Sequence, residues 1–178
     1  MINIRKELRE RLTDNISPKC EDLVVPDYVA DYVKRFDSST ELLKSGGIPI
    51  DILDKWAFGF SSDEIKTIEP KRLSVKWKLD YDNVKHEVEH YHKKHPNQSL
   101  ATNTKNWSKS INLSEPIEVS YQKGKFYIED GHHRYFAAKT LGKTLSVDLE
   151  IKDNPIRKIY GSNSYDDLHH CIFTIVKG

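Results

Sequence analysis

Cysteine is scarce in this chain. Only Cys20 and Cys171 occur among 178 residues, and they form neither a metal-binding nor a redox spacing. That removes a cysteine-based centre and fits a reducing cytoplasm. Long apolar runs are also missing: Met1 to Leu12 is dense in charge, and no stretch approaches membrane-spanning length, so a membrane partner is not expected. An excess of charge of one sign is absent too. The formal net charge is +1, which gives no global attraction to nucleic acid, although a local basic face stays open. No internal repeat or low-complexity tract appears. With 37% hydrophobic and 31% charged residues, the composition suits one soluble domain with a modest core.

What the chain does have is a dense block of pattern from Ile117 to Ile151. Ile117, Val119 and Tyr121 alternate, Lys123-Gly124-Lys125 turns, and Phe126-Tyr127-Ile128-Glu129 resumes, which predicts a two-stranded hairpin. Asp130-Gly131 then breaks the strand, and Phe136, Ala137, Thr140 and Leu141 fall at helical spacing up to Gly142. Leu145, Val147, Leu149 and Ile151 alternate as a third strand, stopped by Asp153-Asn154-Pro155.

The turn between strand and helix carries Asp130, Gly131, His132, His133 and Arg134. The first N–H groups of a helix have no intrahelical partner and lie at the positive end of its dipole. A glycine there lets a ligand approach the main chain. Two imidazoles and a guanidinium follow at once, and arginine suits bidentate contact with phosphate or carboxylate. The cluster reads as an anion site, most simply a phosphate site. The bland alternative makes Asp130 a helix cap and the His-His-Arg run a solvated first turn.

Pro116-Ile117-Glu118-Val119, the run from Tyr127 to Ala138 and the following Leu141-Gly142 resemble the pattern of the ParB/sulfiredoxin superfamily: PIxV, a hairpin, a GxxRxxAA turn and helix, then LG and a short strand. The resemblance spans about Ile65 to Ile151. It implies an α+β fold: a ParB/sulfiredoxin-like mixed sheet with flanking helices over 65–152, preceded by an N-terminal helical extension over 1–64 and followed by a C-terminal tail, 153–178, packed on the core. Sulfiredoxins have a cysteine where His132 stands, so their sulfinic-acid reduction is not available here. Partition ParB proteins add a helix-turn-helix domain, for which the 26 residues after Lys152 leave no room.

The resemblance therefore implies a nucleotide-binding protein, an NTPase or small kinase-type phosphotransferase using ATP or another nucleotide with Mg²⁺. Gly131, His132, His133 and Arg134 would bind the phosphates. In the superfamily the end of the first strand lies near the turn, so Lys76, Lys78 or Asp80 could reach a phosphate or its metal. Asp130, His132 and His133 are the candidate catalytic groups. Glu129 and Asp130 alternate to opposite faces, and Asp130 adjoins the turn. The alternative is a DNA-binding protein or nuclease of the ParB-like class, with lysines 71, 76, 78, 105, 109, 123, 125, 139 and 143 contacting phosphates.

His86-Glu87-Val88-Glu89-His90 matches the HExxH pattern of zinc hydrolases, with His92 and His95 following. Its helix has Val84, Val88 and Tyr91 as the apolar face, which sends His86 and His90 towards water, and Glu89 puts a charge where such helices carry an apolar residue. No protein metal ligand is assigned on this ground.

Elsewhere, Ile4, Leu8 and Leu12 form a helical stripe ended by Ser17-Pro18. Pro26 opens a helix with Tyr28, Val29, Tyr32, Val33 and Phe36 on one face. Ser38 to Glu41 reads as a capping box stopped by Gly46-Gly47, and Ile52, Leu53 and Trp56 predict a short helix closed near Gly59. Leu73, Val75 and Trp77 alternate as a strand, and Asn97 to Asn106 reads as a polar loop before a short helix at Trp107 and Ile111. Ile172, Phe173, Ile175 and Val176 suit an edge strand or hydrophobic strip, with His169-His170 at the surface.

Overall fold

The computed structural model describes residues 23–156 and 165–177, with side chains from 168 in the last stretch. The stripe at Ile4, Leu8 and Leu12, and Cys20, lie outside the described residues. The chain divides into two compact units, one comprising residues 1–64 with 153–178 and the other residues 65–152. The protein is of mixed α and β structure, with one five-stranded sheet in the second unit.

The first unit is helical: α1 (Asp27–Val33), α2 (Ser39–Lys44), α3 (Ile50–Phe58) and α7 (Tyr165–Lys177). Pro26 precedes α1, whose Val29 and Val33 are fully buried while Tyr28, Tyr32 and Phe36 pack around them. Ser38 Oγ accepts from Glu41 N–H at 3.1 Å, and the Glu41 carboxylate reaches back to Asp37 N–H at 2.9 Å. That reciprocal arrangement fixes the start of α2. Gly59, with φ 86°, ends α3.

Of the two expectations for the tail, the edge strand is not formed and the hydrophobic strip lies on a helix. The run around Ile172 recurs at helical rather than alternating spacing, and Leu168, Cys171 and Ile172 join the same apolar cluster as Val29, Leu42, Leu53 and Trp56. His169 is not a surface residue: it is fully buried and its Nε2 accepts from Ile48 N–H at 3.3 Å. Cys171 is disulfide-bonded, a linkage that a reducing compartment disfavours.

The second unit contains β1 (Thr67–Ile68), β2 (Leu73–Val75), α4 (Lys78–Lys94), α5 (Leu100–Lys109), β3 (Ile117–Gln122), β4 (Lys125–Asp130), α6 (His132–Leu141) and β5 (Leu145–Ile151). The sheet order is β1-β5-β3-β4-β2. β3 and β4 form the expected antiparallel hairpin. Its two-residue turn has Lys123 at φ 52° and Gly124 at φ 79°, both positive as a hairpin turn matched to strand twist requires. β5 runs parallel to β3, β2 parallel to β4, and β1 antiparallel to β5. A register shift between Glu118 and Val119 leaves Glu129 as the extra residue on β4.

Two elements depart from expectation. β2 stops at Val75, and Trp77 is the half-exposed cap of α4, so Lys78 opens a helix instead of continuing a strand. Residues 100–109 are helical, so the helix expected at Trp107 begins within the stretch to Asn106 that reads as a loop. Ser99 Oγ caps α5 by accepting from Thr102 N–H at 3.1 Å, and Asn103, fully buried, donates from Nδ2 to His92 Nδ1 at 2.7 Å and to His95 O at 2.8 Å. Tertiary contacts thus override a polar composition. α4, α5 and α6 share a small core of Val84, Val88, Trp107 and Ala137.

Candidate functional site

β4 leads straight into α6 through Gly131, which is the N-cap residue and has φ 107°. Few side chains tolerate that conformation, and space forbids one here as well: a Cβ would lie 2.4 Å from Ile117 Cγ2 and 2.7 Å from its Cβ. The glycine therefore admits the neighbouring strand, where the sequence suggested that it admits a ligand. Asp130 does not cap the helix. No side chain among the described residues caps α6, and the first amide paired across the cap is Tyr135 N–H, donating to Gly131 O at 2.9 Å. The N–H groups of His132, His133 and Arg134 are left as the helix's free donors.

They border a cleft of about 420 Å³. One wall is the turn itself, Asp130 through Arg134; the other is Asp80, Asn83 and Glu87 of α4. Those three recur at i, i+3 and i+7, one stripe of a helix, and that spacing was the signal in the sequence that could have found them together. Glu87 had been weighed only as part of HExxH. Its carboxylate meets the turn instead, with its two oxygens 3.0 and 2.9 Å from His133 Nε2. His86 and His90 are exposed, as the apolar face of α4 requires. Among the described residues no group of three or more His, Cys, Asp or Glu side chains could hold a metal ion.

His132 is 6% exposed and its buried Nε2 has no hydrogen-bond partner among the described residues. Burial pushes its pKa down, opposed by the nearby carboxylates of Asp80 and Asp130. His133 lies against Trp107, ring centroids 6.2 Å apart, and Trp107 meets Phe136 edge-on at 5.6 Å. Arg134 Nη1 donates to the carbonyls of Glu115 at 3.1 Å and Pro116 at 2.6 Å, tying the entry of β3 to the first turn of α6.

The structure thus brings Asp130, Gly131, His132, His133 and Arg134 together and adds Asp80, Asn83 and Glu87. It does not bring in Lys76, whose ammonium lies 2.9 Å from Glu129, nor Lys78, which is not among the lining residues. Glu129 and Asp130 do diverge. Glu129 accepts from Ser120 Oγ at 2.7 Å and Trp77 Nε1 at 3.3 Å as well as from Lys76, and borders a separate cleft with Glu118, Asp148 and Glu150. Of the nine lysines considered for DNA, Lys71, Lys139 and Lys143 line one further cleft of about 280 Å³. Comparison with protein-family models, with curated proteins and with solved structures finds no match to this chain.

Proposed function

We propose that this protein binds the phosphates of a nucleotide at the N-terminus of α6 and acts as an NTPase or small kinase-type phosphotransferase, in keeping with the resemblance to the ParB/sulfiredoxin superfamily. One observation carries the reading: an uncapped ten-residue helix opens on a cleft lined in part by His132, a buried side chain whose Nε2 has no partner among the described residues. Free helix N–H groups and a helix dipole favour an anion, and phosphate is the simplest that fits. Arg134 supports the site in two ways, by its charge and by holding the β3 entry in place.

The three carboxylates in the cleft oppose a bare anion, so the phosphate is expected to arrive with a cation. Mg²⁺ fits this donor set, because it is held by one or two carboxylates together with substrate phosphates and does not need a full protein cage. Asp80 and Asp130 would hold it, and bound there it would neutralise charge on the transferring phosphoryl group. Phosphoryl transfer asks the protein mainly for positioning and charge neutralisation, which the α6 amides, Arg134 and a cation held by the cleft's carboxylates would supply between them.

Calorimetric titration with ATP, ADP, CTP and GTP, with and without Mg²⁺, tests this. At least one magnesium–nucleotide should bind, and Arg134→Ala should weaken it by about 10- to 100-fold, the worth of a hydrogen bond to a charged group. Absence of binding to the wild type, or equal binding by Arg134→Ala, removes the proposed site.

A further inference from the structure

The cleft also contains a group suited to moving a proton. The geometry points to His133 as the base that accepts the proton of the attacking hydroxyl, with Glu87 as the residue that positions it; this rests on the nucleotide reading above. Both oxygens of Glu87 approach one nitrogen, His133 Nε2, at 3.0 and 2.9 Å. An ionised carboxylate can only accept, so Nε2 carries the hydrogen and the lone pair of the neutral ring sits on Nδ1. A base held by a carboxylate behind it is the arrangement that nucleophile activation calls for.

The surroundings fix both partners. Glu87 directly precedes the buried Val88, and Val84 anchors the previous turn, so the core sets the register that turns Glu87 to the cleft. The Trp107 ring stands 6.2 Å from that of His133, tilted by 31°. His132 is a poorer proton carrier, because its ring is buried and its Nε2 meets no partner among the described residues. Side chains of His133 and Glu87 are about half exposed, at 50% and 53%, so a proton taken up can be returned to solvent. Exposure of that degree also means that the pair adds little to folding, and its removal should leave the fold intact.

The step balances without a further reactant. A water or hydroxyl oxygen forms a bond to the terminal phosphorus of the nucleoside triphosphate while its proton passes to His133 Nδ1. The bond from that phosphorus to the bridging oxygen breaks, and the nucleoside diphosphate leaves with the electron pair. The imidazolium is paired with Glu87 through Nε2–H until Nδ1 releases its proton.

Wild type, Glu87→Ala, His133→Asn and the double variant are to be compared in magnesium–nucleotide turnover, with affinity followed by calorimetry. His133→Asn should lower kcat by about 100-fold or more and Glu87→Ala by about 10-fold, each a far larger change than that in KM or nucleotide affinity. The double variant should be no slower than His133→Asn alone, because Glu87 acts only through His133. Imidazole ¹⁵N spectra should show His133 as the Nε2–H tautomer in the wild type and a mixture in Glu87→Ala. An unchanged kcat or tautomer in Glu87→Ala, or effects that multiply in the double variant, would overturn the pairing while leaving the nucleotide site standing. Nucleotide binding without turnover by the wild type removes the base role alone. No binding at all removes the nucleotide reading and the base with it.

Discussion

Gly131→Ala should lose about 3–5 kcal/mol of stability, combining overpacking with backbone strain at positive φ. Its added methyl would fall 2.4 Å from Ile117 Cγ2 and 2.7 Å from Ile117 Cβ, and φ is 107°. Ile117 is fully buried at the start of β3, where its neighbours leave no room to withdraw. Gly124→Ala makes the comparison clean: φ there is 79°, yet a methyl would meet nothing within 4 Å. It should cost only the strain, about 1–2 kcal/mol. Urea unfolding of the two variants separates the terms, and equal losses would show that Ile117 yields freely. The same clash would push β3 away from the first turn of α6, so the Arg134 bonds to Glu115 and Pro116 should weaken along with it.

Acid should act first through Glu129. The bond from Ser120, then that from Lys76, hold its carboxyl at about 2, well below the ordinary 4.5. A folded-state value below the unfolded one means that the stabilisation is complete above about 4.5. It is lost as pH falls from there towards 2, because the unfolded chain binds the proton first. The shift corresponds to about 3 kcal/mol at neutral pH. Glu129→Gln should therefore be destabilised by that order at pH 7 and converge on wild type near pH 2, as denaturant unfolding across this range would reveal. Parallel pH profiles for the two proteins would contradict the assignment. Since Lys76 and Trp77 both bond Glu129, this carboxylate fixes the chain just before α4, and with it the wall that carries Asp80, Asn83 and Glu87.

Much of the second unit's order was legible in the sequence because its signals are local. The alternation of Ile117 to Tyr121, the Lys123-Gly124 turn and the strict period of Leu145 to Ile151 each reflect strand geometry, and the structure contains all three elements. The cluster at the turn could be read for the same reason, since its residues are consecutive. What was hidden depends on residues distant in sequence. Nothing near Gly131 reveals that Ile117 occupies the space beside it, and nothing near His133 reveals that Glu87, 46 positions earlier, is its partner. HExxH points to the two histidines of that motif, whereas the structure pairs Glu87, one of the two glutamates between them, with His133. Of α5 only the end at Trp107 is legible, because Trp107 is its one large buried apolar residue and the rest of its inner face is Asn103 and Ser108. The tail misled through Ile172, Phe173, Ile175 and Val176: a short apolar run fits strand and helix alike until its neighbours are known.

The most direct test of the phosphate site is backbone ¹H–¹⁵N NMR of the whole chain during titration with magnesium–ATP and magnesium–CTP. A phosphate at the N-terminus of α6 must accept from the free N–H groups of His132, His133 and Arg134, so these three amides should show the largest shifts, saturating together. Arg134→Ala should diminish all three. Shifts centred on Lys71, Lys139 and Lys143, or a spectrum unmoved by either nucleotide, would contradict a phosphate site at this turn.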